Sequence, residues 1–252
     1  MMEHKSSFKP SILMDLSRVA PEFDADKVTG EIAIVGVGAI GSRFASYLND
    51  VGLGPRLVLY DGDVVEQANL SSQEYDSADI GTLKAEALQL RLSQKWNTFP
   101  LNVDSAIVPK SVPRFVTAQD RMRHQYVIGC LDGMAKRRML AEKCVFLNGT
   151  TQFLMDARIT AREIIVVGYD PRDPKQHRQY LDELYDDPPP DVLEEMGGCR
   201  ITPSIAPTAG IAAALQALLL FDFINGRKDG PNELAMNTTT WTIQGRRYAR
   251  SV

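Results

Sequence analysis

The chain has 252 residues, 44 % of them hydrophobic and 24 % charged, with a formal net charge of −4. That length suits one large α/β domain with a substantial core, and the acidic balance gives no support for nucleic-acid binding, which usually needs a basic surface. Three cysteines, Cys130, Cys144 and Cys199, lack the close spacing of a disulfide framework and fit a reducing, cytoplasmic setting.

Residues 1 to 29 read as a polar lead-in with one apolar patch, Ile12 to Leu16, followed by Arg18. The start MMEHKSSFKP has no apolar core of a signal peptide. A single domain is expected over residues 30 to 252. Ile32-Ala33-Ile34-Val35 is a short β-branched run of the kind that forms a buried parallel strand. It leads straight into Gly36-Val37-Gly38-Ala39-Ile40-Gly41, a complete G-x-G-x-x-G. The first glycine permits the tight turn, the second lets backbone approach phosphate, and the third lets the next helix pack close to the strand. Ser42 to Val51 reads as that helix, ended by Gly52 and Gly54. Leu57 to Tyr60 is a second strand, with Asp61 at its C-terminal tip, about twenty residues past the glycines, where a carboxylate binds a ribose diol. The segment is therefore read as a nucleotide site.

Further along, Ser77 to Trp96 reads as a helix carrying Lys84 in its early turns, and Phe99 to Val108 as a third strand. Arg114 to His124 is expected as a short helix, and Tyr126 to Leu131 as a strand that ends in Asp132. Parallel strands present their C-terminal tips on one edge, so Asp61 and Asp132 are expected to face one crevice. Val145 to Gly149 reads as another buried strand, and Phe153 to Ile159 with Glu163 to Tyr169 as an antiparallel pair. Residues 170 to 198 are rich in proline and acid and read as an irregular segment, too long for a simple connector. A long buried helix follows, begun near Pro203 and Pro207 and closed by Asn225-Gly226, and Trp241 to Gln244 reads as a last, antiparallel strand. The longest apolar run, Ile211 to Ile224, is interrupted by Gln216 and Asp222 and is expected not to span a bilayer.

Beyond Asp61 the chain reads Asp63, Glu66, Asn69-Leu70, Gln73, then Asp79-Ile80-Gly81 and Lys84; later come Asp132 with Arg137, and Cys199 to Ala217. In these residues, over roughly 30 to 225, it resembles the ThiF/MoeB/ubiquitin-activating enzyme superfamily. The resemblance implies a doubly wound, mostly parallel, Rossmann-like sheet with antiparallel strands on its C-terminal side. It also implies an ATP-dependent adenylyltransferase that uses Mg²⁺ to activate the C-terminal carboxylate of a small β-grasp, ubiquitin-like protein ending in Gly-Gly.

Carried over residue by residue, it places nucleotide on Gly36, Gly38, Ala39, Ile40, Gly41, Asp61, Asp63, Asn69, Gln73, Lys84 and Arg137. Asp132 becomes the magnesium ligand, since Mg²⁺ takes one or two protein carboxylates with phosphates and water. Arg18 becomes the residue that reaches the phosphates of a partner subunit in a homodimer, and residues 170 to 198 the crossover loop over the substrate tail. Relatives that go beyond adenylation use a cysteine in the region of Cys199 to take the acyl group, and others keep one there without using it. Cys130 and Cys144 read as buried, inert thiols. No C-x-x-C pair stands where zinc-containing relatives have one, so no structural zinc is expected. The family's Asn-Leu-x-Arg-Gln appears here with Ser72 in place of the arginine, for which Arg18 or Arg43 would have to substitute. A downstream conjugating or sulfur-transfer protein is a further implied partner. The weaker readings are a relative that adenylates a modified tRNA base, an NAD-dependent oxidoreductase, and a binding-only scaffold.

Overall fold

The computed structural model describes residues 15–96, 102–103, 124–146, 151–186, 205–227 and 230–251. After β1 (Glu31–Val35) come α1 (Ala39–Asp50), β2 (Leu57–Tyr60), α2 (Lys84–Trp96), β3 (Asn102–Val103) and β4 (His124–Gly129). They are followed by α3 (Met134–Phe146), β5 (Phe153–Ile159), β6 (Glu163–Tyr169) and α4 (Pro174–Asp182). A long helix α5 (Ala206–Ile224) and the hairpin β7 (Glu233–Asn237) and β8 (Thr242–Arg246) complete the order.

All eight strands join one sheet in the order β3-β2-β1-β4-β5-β6-β7-β8. From β3 to β5 the pairing is parallel, and from β5 to β8 antiparallel. This is the doubly wound sheet with C-terminal antiparallel strands that the sequence leads one to expect.

Alternate strand residues serve opposite faces because side chains alternate along a strand. Ile32 and Ile34 meet Phe44, Leu48, Leu88 and Ala213 in one core, so α1, α2 and α5 cover that face. Ala33 and Val35 meet Leu140, Cys144 and Tyr180 in a second core under α3 and α4. The strand order reverses between β1 and β4, and the crevice beyond their C-terminal ends is where such sheets bind ligands.

Helix α5 is long and apolar enough, by length and composition alone, to cross a bilayer. Its extra length over the expected apolar run comes from Ala206 to Gly210, which are helical. In the fold it packs on the sheet, with Ala209, Ala212, Ala213 and Leu220 wholly buried.

Several local expectations need correction. Helix α2 begins at Lys84, not Ser77, because Asp76 caps a separate 3₁₀ turn over Ser77–Asp79 and the next residues pair with Val64 and Val65 (Val65 N donates to Thr82 O at 2.8 Å). Val145 and Phe146 finish α3 and are not a strand; a short apolar run suits either element, and here it continues a helix whose Leu140, Ala141 and Cys144 are buried. His124 opens β4, and residues 114–123 lie outside the described residues, as does all of the expected third strand except Asn102 and Val103. The expected irregular segment contains α4, capped by Asp173 and anchored by buried Tyr180, while residues 187–198 lie outside the described ones.

Candidate active site

Two of the three motif glycines stand where the backbone allows nothing larger. Gly36 sits at φ +90°, and a Cβ on it would lie 2.5 Å from the Cys130 carbonyl oxygen at the end of β4. A Cβ on Gly41 would collide with the Gly36 carbonyl, so α1 can start this close to β1 only with glycine there. At Gly38 the nearest atom to an added Cβ is Gln73 Nε2 at 4.0 Å, which leaves the cradle open. Gly38 is also the N-cap of α1 and supplies no side chain, so the first amide groups of the helix face the cradle uncapped.

Asp61 holds this turn from the side. Its Oδ2 accepts the Val37 amide at 2.8 Å and its Oδ1 the Asp63 amide at 2.9 Å. Burial pushes the carboxyl above its usual 3.8, against the pull of those amides and of Lys84. Lys84 is only 7 % exposed; its Nζ lies 3.2 Å from Asp63 Oδ2, and its amide donates to the Asp63 carbonyl at 2.9 Å. Gly36 to Gly41, Asp61, Asp63 and Lys84 therefore form one connected group.

The loop from Asn69 to Gln73 closes over this group. Asn69 Oδ1 accepts the Glu66 amide at 2.9 Å and shapes a 3₁₀ turn. Gln73 carries a buried Oε1 with no hydrogen-bond partner among the described residues, beside the open face of Gly38, a polar group suited to a ligand. Ser42 Oγ donates to the Gly38 carbonyl at 2.7 Å and accepts the Glu74 amide at 3.2 Å, while Arg43 pairs with Glu74.

Asp132 flanks the turn from the other side of β1. It is exposed and paired with Lys136 at 2.6 Å. Burial raises its carboxyl, but the Lys136 bond and charge outweigh this and hold it below the usual value. Among the described residues no hydrogen bond or ion pair joins it to Lys84. A single exposed carboxylate beside a phosphate cradle fits Mg²⁺, which keeps several waters; no group of three or more His, Cys, Asp or Glu is gathered among the described residues.

Two expected site residues are placed away from the cradle. Arg137 is buried at 7 % exposure and spends its guanidinium inside the fold, pairing with Asp156 and donating to the Leu131 carbonyl and, at 2.9 Å, to the Ala157 carbonyl. Asp156 also binds Arg158 at 2.8 Å, so Arg137 acts here as an internal tie beneath the strand end that carries Asp132. Arg18 is exposed in a turn whose neighbour Phe23 stacks on Phe221 at 4.3 Å, towards the C-terminal end of α5. That end packs at the amino edge of the parallel strands, where Phe223 stacks on Phe153, the first residue of β5, so the Arg18 segment is anchored away from this chain's own turn. Cys199 lies outside the described residues. Cys130 and Cys144 have thiols that burial pushes up to about 12, the state of inert sulfur.

One participant was missed from the sequence. Tyr75, 6 % exposed, donates its hydroxyl to the Val37 carbonyl at 2.7 Å and lies 3.2 Å from the Lys84 carbonyl. Its only signal was a lone aromatic in a polar stretch.

The sheet, its switch point and the glycine turn define a doubly wound, Rossmann-like domain. The chain belongs to the ThiF family, whose model matches residues 13–251. It is similar to the sulfur carrier protein ThiS adenylyltransferase of Escherichia coli, 27 % identical over 231 residues that cover 91 % of this chain and 85 % of that protein. It is also similar to the adenylyltransferase and sulfurtransferase uba4 of Aspergillus fumigatus, 29 % identical over 192 residues, 74 % of this chain and 37 % of that one. A crystal structure of Escherichia coli MccB with ATP shares the fold, with a TM-score of 0.68 at 18 % identity over 90 % of this chain and 66 % of that chain. The chain thus spans most of the ThiS adenylyltransferase but little more than a third of uba4 and about two thirds of the MccB chain.

Proposed function

We propose that this chain is an ATP-dependent adenylyltransferase that activates the C-terminal carboxylate of a small ubiquitin-like or sulfur-carrier protein with a Gly-Gly tail. The observation that carries this reading is the open Gly38 cradle, bounded by the buried Lys84 and the Asp61 carboxylate, in a ThiF-family chain that spans 85 % of a ThiS adenylyltransferase.

In this reading ATP with Mg²⁺ supplies the adenylyl group and a pyrophosphate leaving group. The chain's own residues position and stabilise. The uncapped α1 amides and Gly38 receive phosphate, Asp61 holds the ribose, and Asn69, Gln73 and Lys84 orient the phosphates. Lys84 leaves Asp63 to do so, and Asp132 leaves Lys136 to meet the cation. Catalysis then rests on orientation and fixed charge. An extended glycine tail suits a narrow approach to such a crevice. A homodimer in which Arg18 serves the partner's nucleotide, Arg43 standing in for the arginine absent at Ser72, and acyl transfer to Cys199 belong to the same proposal.

The test is ATP–pyrophosphate exchange in the presence of candidate β-grasp proteins. Exchange should depend on the carrier's terminal glycine and fall at least about a hundredfold in Lys84→Ala and Asp132→Ala. Variants that exchange as fast as the wild type would remove the assignment. Greater thermal stabilisation by NAD than by ATP with Mg²⁺ would favour a dehydrogenase instead.

A further inference from the structure

Tyr75 lies where two parts of the site meet. The backbone of Val37, in the glycine turn, is held through the peptide groups on both sides of its Cα: its N–H by Asp61 at 2.8 Å and its C=O by the Tyr75 hydroxyl at 2.7 Å. The same hydroxyl is 3.2 Å from the carbonyl of Lys84, so one proton is shared between the turn and the first residue of α2. The ring has no freedom to follow either partner alone. Upstream, the Glu74 amide is fixed to Ser42 Oγ at 3.2 Å. Downstream, Asp76 is fixed by its capping exchange with Asp79, and Arg91 clamps both carboxylates. The ring itself is packed in the main core.

We propose that Tyr75 is a positioning residue that sets the separation between the glycine turn and Lys84, so that the lysine meets the phosphates of a nucleotide lying on the turn. This rests on the adenylyltransferase reading above. The physical reason is that Lys84 reaches the turn only through a flexible four-carbon stem. Its backbone must therefore be fixed relative to the phosphate cradle for the ammonium to sit in one place. The Asp63 contacts fix the lysine on the β2 side, and among the described residues Tyr75 alone ties its backbone to the turn directly. Tyr75 touches no reacting atom and also holds the Val37 carbonyl of the turn, so the positioning role is the part of its effect that passes through Lys84.

That dependence is what an experiment can read. Affinities for ATP with Mg²⁺ and for adenosine are measured by calorimetry on the full chain carrying Tyr75→Phe, Lys84→Met, or both. Tyr75→Phe should weaken ATP binding about tenfold and leave adenosine within about twofold, because adenosine has no phosphate for the lysine. The double variant should bind ATP no more weakly than Lys84→Met alone. Full additivity of the two losses, an equal loss of adenosine affinity, or an unchanged ATP affinity in Tyr75→Phe would overturn the inference. If the Phe variant does not fold, 4-aminophenylalanine at position 75, which keeps a donor in the same place, provides the reading: ATP affinity close to wild type supports the role, and its loss in a folded protein overturns it. Wild-type protein that does not bind ATP would end the adenylyltransferase reading itself; ATP binding by the wild type with an indifferent Tyr75→Phe ends only the role of Tyr75.

Discussion

The Asp61 carboxylate accepts the Val37 amide at 2.8 Å across 24 residues of sequence, so the tip of β2 shapes the turn that follows β1. The carboxylate proposed to hold the ribose is also part of the turn's own scaffold. Asp61→Ala should therefore cost stability as well as nucleotide affinity. The buried Val37 amide loses its acceptor, at about 1–3 kcal/mol, and the part-buried Asp63 amide loses one at smaller cost because water can reach it; the loss should appear in urea denaturation without any nucleotide. Asp61→Asn keeps one acceptor oxygen and should lose roughly half as much. Equal stability for wild type and Asp61→Ala would show that the amides find other partners.

Two of the motif glycines, Gly36 and Gly38, should separate by cause. Gly36→Ala combines a left-handed backbone with a clash against the Cys130 carbonyl and should destabilise the fold by about 2–5 kcal/mol. Gly38→Ala has free space around its Cβ, so it should destabilise the fold far less than Gly36→Ala while ATP affinity falls. A Gly38→Ala protein that binds ATP normally would mean that phosphate does not enter there.

Asp156 holds two guanidiniums, Arg137 and Arg158, in a buried position. Asp156→Ala leaves both charges without their partner and should destabilise by about 3–5 kcal/mol. Arg137→Met removes a charge together with its tie to Leu131, and the exchange activity should then fall further than stability does. A chemical denaturation series over the two variants and their double mutant would measure the coupling.

Asp173 joins the C-terminal residues to α4, accepting the Ser251 amide at 2.9 Å and the Ser251 hydroxyl at 2.7 Å while capping Lys175 and Gln176. Burial raises its carboxyl, but the bonds from Ser251, Gln176 and Lys175 outweigh it and hold it well below the usual 3.8. The folded state thus binds this proton less tightly than the unfolded state. The stability it contributes is present above about pH 3.8 and is lost as pH falls through the folded value. Protection factors of amides near Ser251, taken relative to the intrinsic exchange rate at each pH, should fall on acidification below that point, and Asp173→Ala should show the lower protection already at neutral pH, with a loss of about 0.5–2 kcal/mol.

Much of the fold could be read along the chain because it depends on local pattern. Ile32 to Asp61 spells strand, glycine turn, helix, strand and acidic tip in order, and each step is set by side-chain period or by backbone freedom within a few residues. The alternation of Phe153 to Ile159 with Glu163 to Tyr169 marked the change to antiparallel pairing for the same reason. Where the α2 helix begins could not be read, since Thr82 and Leu83 look helical until Val64 and Val65 claim them as strand-like partners.

The sequence by itself determined a glycine cradle at the end of a parallel strand with acidic residues at neighbouring strand tips, because those features are local. Only the tertiary structure decided that Arg137 turns inward to Asp156, 19 residues away, and that Tyr75 reaches back 38 residues to the Val37 carbonyl. A buried hydrogen-bonding group takes whichever partner the packed chain brings to it, and spacing along the sequence does not specify that partner.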